Sequence, residues 1–339
     1  MSSTHPYPLA FRPILLEKVW GGDRLARFGK PVKPAQKIGE SWELADLSTT
    51  SVSGAGGGAA RSVISDGPMA GRTLHDAVAM WGHHLLGSAR PRSDGGVGQF
   101  PLLVKYLDAM ENLSVQVHPS PAYAAQHAGA NLKTECWYIL DATPGAVIYK
   151  GVREGVTRER FERALRTGDG AGVVDMLGAV PAKVGECHNL PSGTVHALGA
   201  GVLVAEVQTP SDTTYRVYDW GRSGRELHIE QALACIDFGP APKATMLDAG
   251  ESRARLVTTE FFTLDALVTH QSRPSLVGDP GRCAVVMAVS GRGRLLSTTG
   301  AFEPIALEAG RTLLVAGALA GDARVETDSE ELRVLVASV

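Results

Sequence analysis

Cysteine is scarce. The 339-residue chain has four, Cys136, Cys187, Cys235 and Cys283, and no two share C-x-x-C spacing. That excludes a disulfide scaffold, and a chain of this length needs none, since it can bury roughly 75% of the surface its unfolded form exposes. Free, buried thiols are expected. Neither sign of charge is in excess: 33 Lys and Arg stand against 36 Asp and Glu, a net charge of -3. A nucleic-acid partner would call for clustered basic residues, and a solvated interaction tail for a long run of one sign. No apolar run reaches the ~18 residues of a membrane span. Met1-Ser2-Ser3-Thr4-His5-Pro6 lacks the basic start and apolar stretch of a secretory signal. A phosphate-cradling P-loop is also missing. The expectation is a soluble, cytoplasmic protein, a monomer or weak homo-oligomer, that acts on a small molecule without nucleic acid or membrane.

What the chain has in quantity is punctuation, with 39 glycines and 19 prolines separating short apolar runs. Such spacing predicts many short strands joined by turns. Strands are expected at 101–107, 113–117, 137–140, 146–149, 202–208 and 214–218. Helices are expected at 73–86, stopping at Gly87, and at 121–127, 157–166, 173–177 and 229–236. Residues 155–180 read as a helical insertion. Residues 48–65, rich in Ser, Gly and Ala, read as a surface loop. Gly239-Pro240-Ala241-Pro242 reads as a linker. Beyond it strands are expected at 261–268, 284–289, 293–297, 312–316 and 332–336. The expected domains are 1–240, carrying the chemistry, and 245–339, a smaller β-domain.

Two motifs point to a metal. In Val115-Gln116-Val117-His118-Pro119, alternate residues of a strand face the same way, so Gln116 and His118 project together. In Pro191-Ser192-Gly193-Thr194-Val195-His196, a tight turn delivers His196. This P-x-G-x-x-H arrangement resembles the second metal motif of the cupin superfamily, which aims a histidine into the mouth of a β-barrel. Glu135, at the start of an apolar strand, adds the anionic ligand. Two imidazoles, a carboxylate and an amide oxygen suit a borderline divalent ion such as zinc, with manganese, cobalt or iron also compatible. Cys136 lies beside Glu135 and is a candidate supporting residue. His83 and His84 are expected at the surface, and His127, His188 and His228 in structural roles. Residues 245–339 have a single histidine, His270, and neither motif, so that segment is expected to lack metal ligands.

Longer segments resemble the type I mannose-6-phosphate isomerases, in their shorter bacterial form. They are Val19-Trp20-Gly21-Gly22, Ile38-Gly39-Glu40-Ser41-Trp42-Glu43, the stretch FPLLVKYLDA at 100–109, Leu113 with the Gln116 motif, Lys133-Thr134-Glu135-Cys136-Trp137-Tyr138, and LPSGTVHALGAGVLVAEVQTPSDTTYRVYDWGR at 190–222. The resemblance covers about residues 8–238 and is loose after Gly239. It implies a mainly β fold of two cupin-type jelly-roll barrels, the first with the helical insertion. It also implies interconversion of mannose 6-phosphate and fructose 6-phosphate, with one zinc per chain and manganese or cobalt as substitutes. Gln116, His118, Glu135 and His196 fall on the family's metal positions, and Arg216 on its catalytic arginine. Lys105 and Lys133 fall on lysines lining its substrate pocket.

Such an isomerase moves a proton between C1 and C2 through a cis-enediol. Arg216, always protonated, suits the developing oxyanion. Two groups compete for the role of base: Lys133, if its pKa is depressed, and Glu206, which alternatively pairs with Arg216 or Lys133 and orients it. Lys105 is expected to contact a sugar hydroxyl or the phosphate, and Ser114, Arg216 and Arg222 are further phosphate candidates. The competing readings are an iron-dependent cupin oxygenase and a non-catalytic sugar-phosphate-binding cupin.

Overall fold

The structure is a computed structural model and describes residues 5–90, 99–167, 170–270 and 274–339. It is mainly β. Three larger antiparallel sheets carry the architecture. A six-stranded sheet runs in the order Cys187–Leu190, Glu135–Ala142, Val202–Gln208, Leu103–Ala109, Ile38–Leu44 and Ile14–Gly22. A five-stranded sheet runs Leu177–Pro181, Val147–Val152, His196–Leu198, Val115–Val117 and Tyr215–Tyr218. A nine-stranded sheet gathers the C-terminal strands, including the long Ala284–Ser297 and Ala323–Ser338 pair. Among the described residues no sheet closes into a ring.

The six-stranded sheet is the middle layer, and the period of two explains why. Every residue of Val202–Gln208 is buried. Leu203, Ala205 and Val207 join the large core that also holds the C-terminal sheet. Val202 and Val204 point the other way, into a smaller cluster with Trp137, Ile139 and Leu198. Alternate side chains of a strand must separate like this. Glu206 and Gln208 therefore share the second face with Val204, which is the side of the five-stranded sheet. The same alternation puts Val104 and Tyr106 in the large core but Leu107 and Ala109 in the smaller cluster. It also corrects the reading of Cys136. Glu135 and Trp137 face the smaller cluster's side, whereas Cys136 turns into the large core, with Sγ 3.6 Å from Val207 O.

Several other expectations shift. The helix expected over 73–86 is two: Leu74–Trp81, started by a Thr73–Asp76 capping box, and His83–Leu86. Gly82, at φ +47°, breaks it, a conformation L-residues rarely adopt. Residues 48–65 are more than a loop. Val52–Ala55 is helical, and Val63–Ile64 pairs with the Leu9–Arg12 strand, with Ile64 fully buried. Leu9–Arg12 in turn pairs with Thr312–Val315, so the first strand of the chain belongs to the C-terminal sheet. One buried cluster accordingly includes residues from both sides of residue 240. The helical insertion is present as Arg158–Arg166, capped by Thr157, and the 3-10 turn Ala171–Met176. No helix among the described residues is long and apolar enough to cross a membrane.

Candidate metal centre and cleft

The two site motifs meet because their strands are neighbours. In the five-stranded sheet His196 pairs with Gln116, and Gln116 pairs on its other side with Arg216. Cross-strand partners share a face, so these three side chains form one row. The turn before His196 closes with Thr194 N donating to Pro191 O at 3.0 Å, and Gly193 N donates to His118 O at 3.0 Å. Gly193 sits at φ +90°, and a Cβ there would lie 3.1 Å from Cys235 O. That fixes glycine in the motif. Glu135 comes from the facing sheet, as the first residue of its strand.

The ligand atoms converge. His118 Nδ1 lies 2.9 Å from Thr213 O, and His196 Nδ1 lies 2.7 Å from Thr194 O. Each contact requires the Nδ1–H tautomer and leaves the Nε2 lone pair facing inward. His196 Nε2 is 3.1 Å from Glu135 Oε1, and His118 Nε2 is 3.5 Å from Glu135 Oε2. One atom from each of the three residues falls within 4.8 Å of the others, and all three residues are buried. Among the described residues, His118 Nε2 and both carboxylate oxygens lack a hydrogen-bond partner, and Lys133 Nζ reaches Glu135 Oε2 at 2.9 Å as an ion pair. Buried acceptors aimed at one another repel unless a cation lies between them. This donor set therefore fits a divalent metal. The Gln116 amide adjoins it at 3.4 Å from His196 Nε2. Its O and N are interchangeable by a half-turn, which would aim the oxygen at the triad.

Above this floor a cleft of about 670 Å³ opens. Lys105, Ser114, Gln116, Lys133, Glu206 and Arg216 all line it. The structure thus gathers these sequence candidates in one place. Glu206 differs from expectation in its partner. It pairs with Lys105 at 3.2 Å and accepts from Trp137 Nε1 at 2.8 Å, instead of orienting Arg216 or Lys133. Burial and the nearby Glu135 carboxylate push its pKa up, with Lys105 opposing them. Burial by itself would lower the Lys105 amine, but Glu206, Glu40 and Glu135 outweigh it and hold the pKa above the ordinary value. Lys105 is therefore a fixed cation. Its Nζ sits 3.4 Å from Glu40 and 4.9 Å above the Trp42 ring. Glu40, despite burial, is held down to about 2 by Lys105 and Lys18. Arg216 is 4% exposed, donates to Glu226 O at 2.8 Å, and leaves its Nε without a partner.

Arg222 is not among the cleft residues. It donates to Asp219 at 2.9 Å and to Asn112 O at 2.8 Å. Arg225 takes its place, lining the cleft while held to Asp219 at 3.1 Å. Sequence reasoning missed it because Arg222-Ser223-Gly224-Arg225 lies in a loop without periodicity. Lys18, Trp20, Glu40 and Trp42 also line the cleft, and all but Lys18 stand in segments the sequence had singled out. Ser51 and Asp212 close one side, joined by a hydrogen bond of 2.6 Å from Ser51 N.

Buried neutral histidines make stability depend on pH. Burial and Lys133 hold His118 to about 3, and burial and Lys150 hold His188 to about 4. Unfolded, both titrate near 6.5. Below that pH the unfolded chain binds protons the folded chain refuses, so stability falls on acidification until the folded values are passed. The metal-free protein is expected to lose about 1.4 kcal/mol per histidine for each pH unit below ~6.5. Urea denaturation at about pH 7.5, 6.5 and 5.5 measures this, and His188→Gln should flatten the slope. Equal stability across that range would contradict it.

Fold and site together define a class: a β-sheet protein with a buried two-histidine, one-carboxylate candidate metal site under a cationic cleft. The family described as "Phosphomannose isomerase type I, catalytic domain" matches residues 10–140. The chain is 34% identical to the mannose-6-phosphate isomerase ManA of Bacillus subtilis (strain 168), over 86% of this chain and 88% of that one. The crystal structure of the Bacillus subtilis mannose 6-phosphate isomerase superimposes with a TM-score of 0.80 at 28% identity, covering 98% of this chain and 99% of that one. A mannose 6-phosphate isomerase structure bound with zinc and yttrium shares the fold at 18% identity, with a TM-score of 0.70, over 97% of this chain and 98% of that one. The chain belongs to the type I mannose-6-phosphate isomerases.

Proposed function

We propose that the protein interconverts mannose 6-phosphate and fructose 6-phosphate at the cleft above His118, Glu135 and His196. The observation that carries this is the convergence of the buried His118, Glu135 and His196 ligand atoms beneath a cleft lined by Lys105, Lys133, Arg216 and Arg225. Such a cleft suits a phosphorylated sugar, since phosphate is recognised by cations. A divalent ion, zinc in this reading, would be held by His118, Glu135, His196 and the Gln116 amide oxygen, and supplies Lewis-acid polarisation of the sugar's C1 and C2 oxygens when bound.

The chain's own groups supply the rest. Glu206 is our choice of base, because burial and Glu135 raise its pKa toward the range useful for proton transfer. It takes the proton from one of C1 and C2 and returns it to the other, through a cis-enediol. Lys133 is the other cleft group of the right type, engaged with Glu135 at 2.9 Å. Arg216 stabilises the negative charge that builds on oxygen. Lys105 and Ser114 contact sugar hydroxyls or the phosphate, and Trp20, Trp42 and Trp137 limit water. The six- and five-stranded sheets correspond in this reading to a cupin-type jelly roll, a double-sheet design that needs no closed ring. The C-terminal residues 245–339 form a second, metal-free jelly-roll unit that buttresses it through the shared core. A soluble, cytoplasmic setting goes with such a substrate.

The test is a coupled assay for fructose 6-phosphate on metal-stripped protein with zinc, manganese or cobalt restored. Turnover should be absent without metal and return with at least one ion. Tight binding of mannose 6-phosphate with no product under any ion would sink the reading in favour of a binding protein.

A further inference from the structure

The space between the six- and five-stranded sheets does not end at the metal centre. Lys150 pairs across strands with His196, and His188 pairs with Trp137. Each therefore stands one strand further along the same inward-facing row. The Trp137 and His196 rings meet edge to face, with centroids 5.2 Å apart, and form a partition. Behind it lies a second cavity of about 1250 Å³, measured to its open mouth and lined by Lys150, His188, Arg153, Lys243, Phe238 and Pro240. The catalytic reading uses none of these residues.

Among the described residues, Lys150 has neither a hydrogen-bond nor an ion-pair partner, and His188 has only the Glu186 carboxylate near its Nε2. Lys150 is 6% exposed and His188 0%. Among the described residues, Lys150 Nζ and both His188 ring nitrogens make no hydrogen bond. Burying an ammonium unpaired is costly, and a charge-assisted partner removes that cost. The acids nearby do not provide one. Glu154 stands at the exposed rim, and Glu186 lies 3.4 Å from His188 Nε2 but also 3.6 Å from Lys183. Arg153 and Lys243 add two exposed cations at the mouth. Burial lowers the Lys150 amine, and Lys150 in turn helps hold His188 down, as in a pocket whose positive field is not neutralised.

We propose that this cavity is a second ligand site, for a small phosphate-bearing anion, with Lys150 and His188 at its floor and Arg153 and Lys243 at its mouth. Phe238 and Pro240 offer apolar surface to any organic part of the ligand. The site stands whether or not the isomerase reading does, because it shares no residue with the cleft.

Calorimetry on the metal-loaded protein tests it, with inorganic phosphate and glycerol 3-phosphate as separate probes. A background carrying Lys105→Met and Arg216→Ala together weakens phosphate binding in the cleft and touches no residue of this cavity. Saturable binding of at least one probe should survive in that background and weaken about tenfold or more on adding Lys150→Met, the loss of one buried charge-assisted pair. Binding of phosphate alone would identify the free ion as the ligand, and binding of glycerol 3-phosphate alone a monoester. Arg153→Ala with Lys243→Ala, both at exposed positions, should weaken it several-fold and decides the matter if Lys150→Met does not fold. No binding of either probe at millimolar concentration would overturn the proposal. So would unchanged affinity in both Lys150→Met and the double variant.

Discussion

His196→Ala is expected to abolish most bound metal and to lower isomerase turnover by on the order of a thousandfold or more. Losing the imidazole leaves His118 and the Glu135 carboxylate as the remaining strong ligands. It also removes the Nε2 that stands 3.1 Å from Glu135 Oε1. Lewis-acid stabilisation of a developing oxyanion is worth several kcal/mol, and ~4 kcal/mol corresponds to about a thousandfold in rate. Metal content by elemental analysis is the direct readout and is independent of activity. His84→Ala, at an exposed helical position, is the control and should keep both metal and turnover. A His196→Ala protein with wild-type metal content and kcat would remove His196 from the centre.

Arg216→Ala should separate binding from chemistry. Its guanidinium lines the cleft beside Gln116, fixed through Glu226 O at 2.8 Å, with Nε unpartnered. Removing a preorganised donor to a developing oxyanion costs roughly 100- to 1000-fold in kcat. The metal ligands come from other residues, so metal content should stay at the wild-type level. Arg216→Lys should recover little of the loss, because an ammonium cannot reproduce the guanidinium's planar fork. Arg216 lies in a strand, so circular dichroism and the unfolding midpoint must confirm the fold of each variant. A kcat within threefold of wild type, with fold and metal intact, would make Arg216 a structural residue.

The clustering of the candidate metal ligands was legible in the sequence because its signals are local. Gln116 and His118 are two residues apart in one strand, and a period of two puts them on one side. Gly193 marks the turn before His196, and the structure shows why only glycine fits there. Other features were illegible because they depend on what packs against a strand. Residues 48–65 look like a loop by composition, yet Ile64 finds a buried place against Phe11. Gly82 splits a helix whose apolar spacing runs straight through it. Cys136 is adjacent to Glu135 in sequence but faces the opposite core, an outcome of strand geometry that adjacency hides.

The sequence by itself determined the kind of protein this is: a mainly β chain with a Gln116, His118, Glu135 and His196 constellation and long segments matching the type I isomerases. Tertiary structure decided the pairings. It placed Glu206 on Lys105, put Arg225 in the cleft instead of Arg222, joined the first strand to the C-terminal sheet, and left Lys150 and His188 facing a second cavity. The physical reason is range. Residue type and strand period act over a few positions of the chain, whereas charge pairing and burial are fixed by neighbours brought from far along it, such as Lys105 and Glu206 across their shared sheet register.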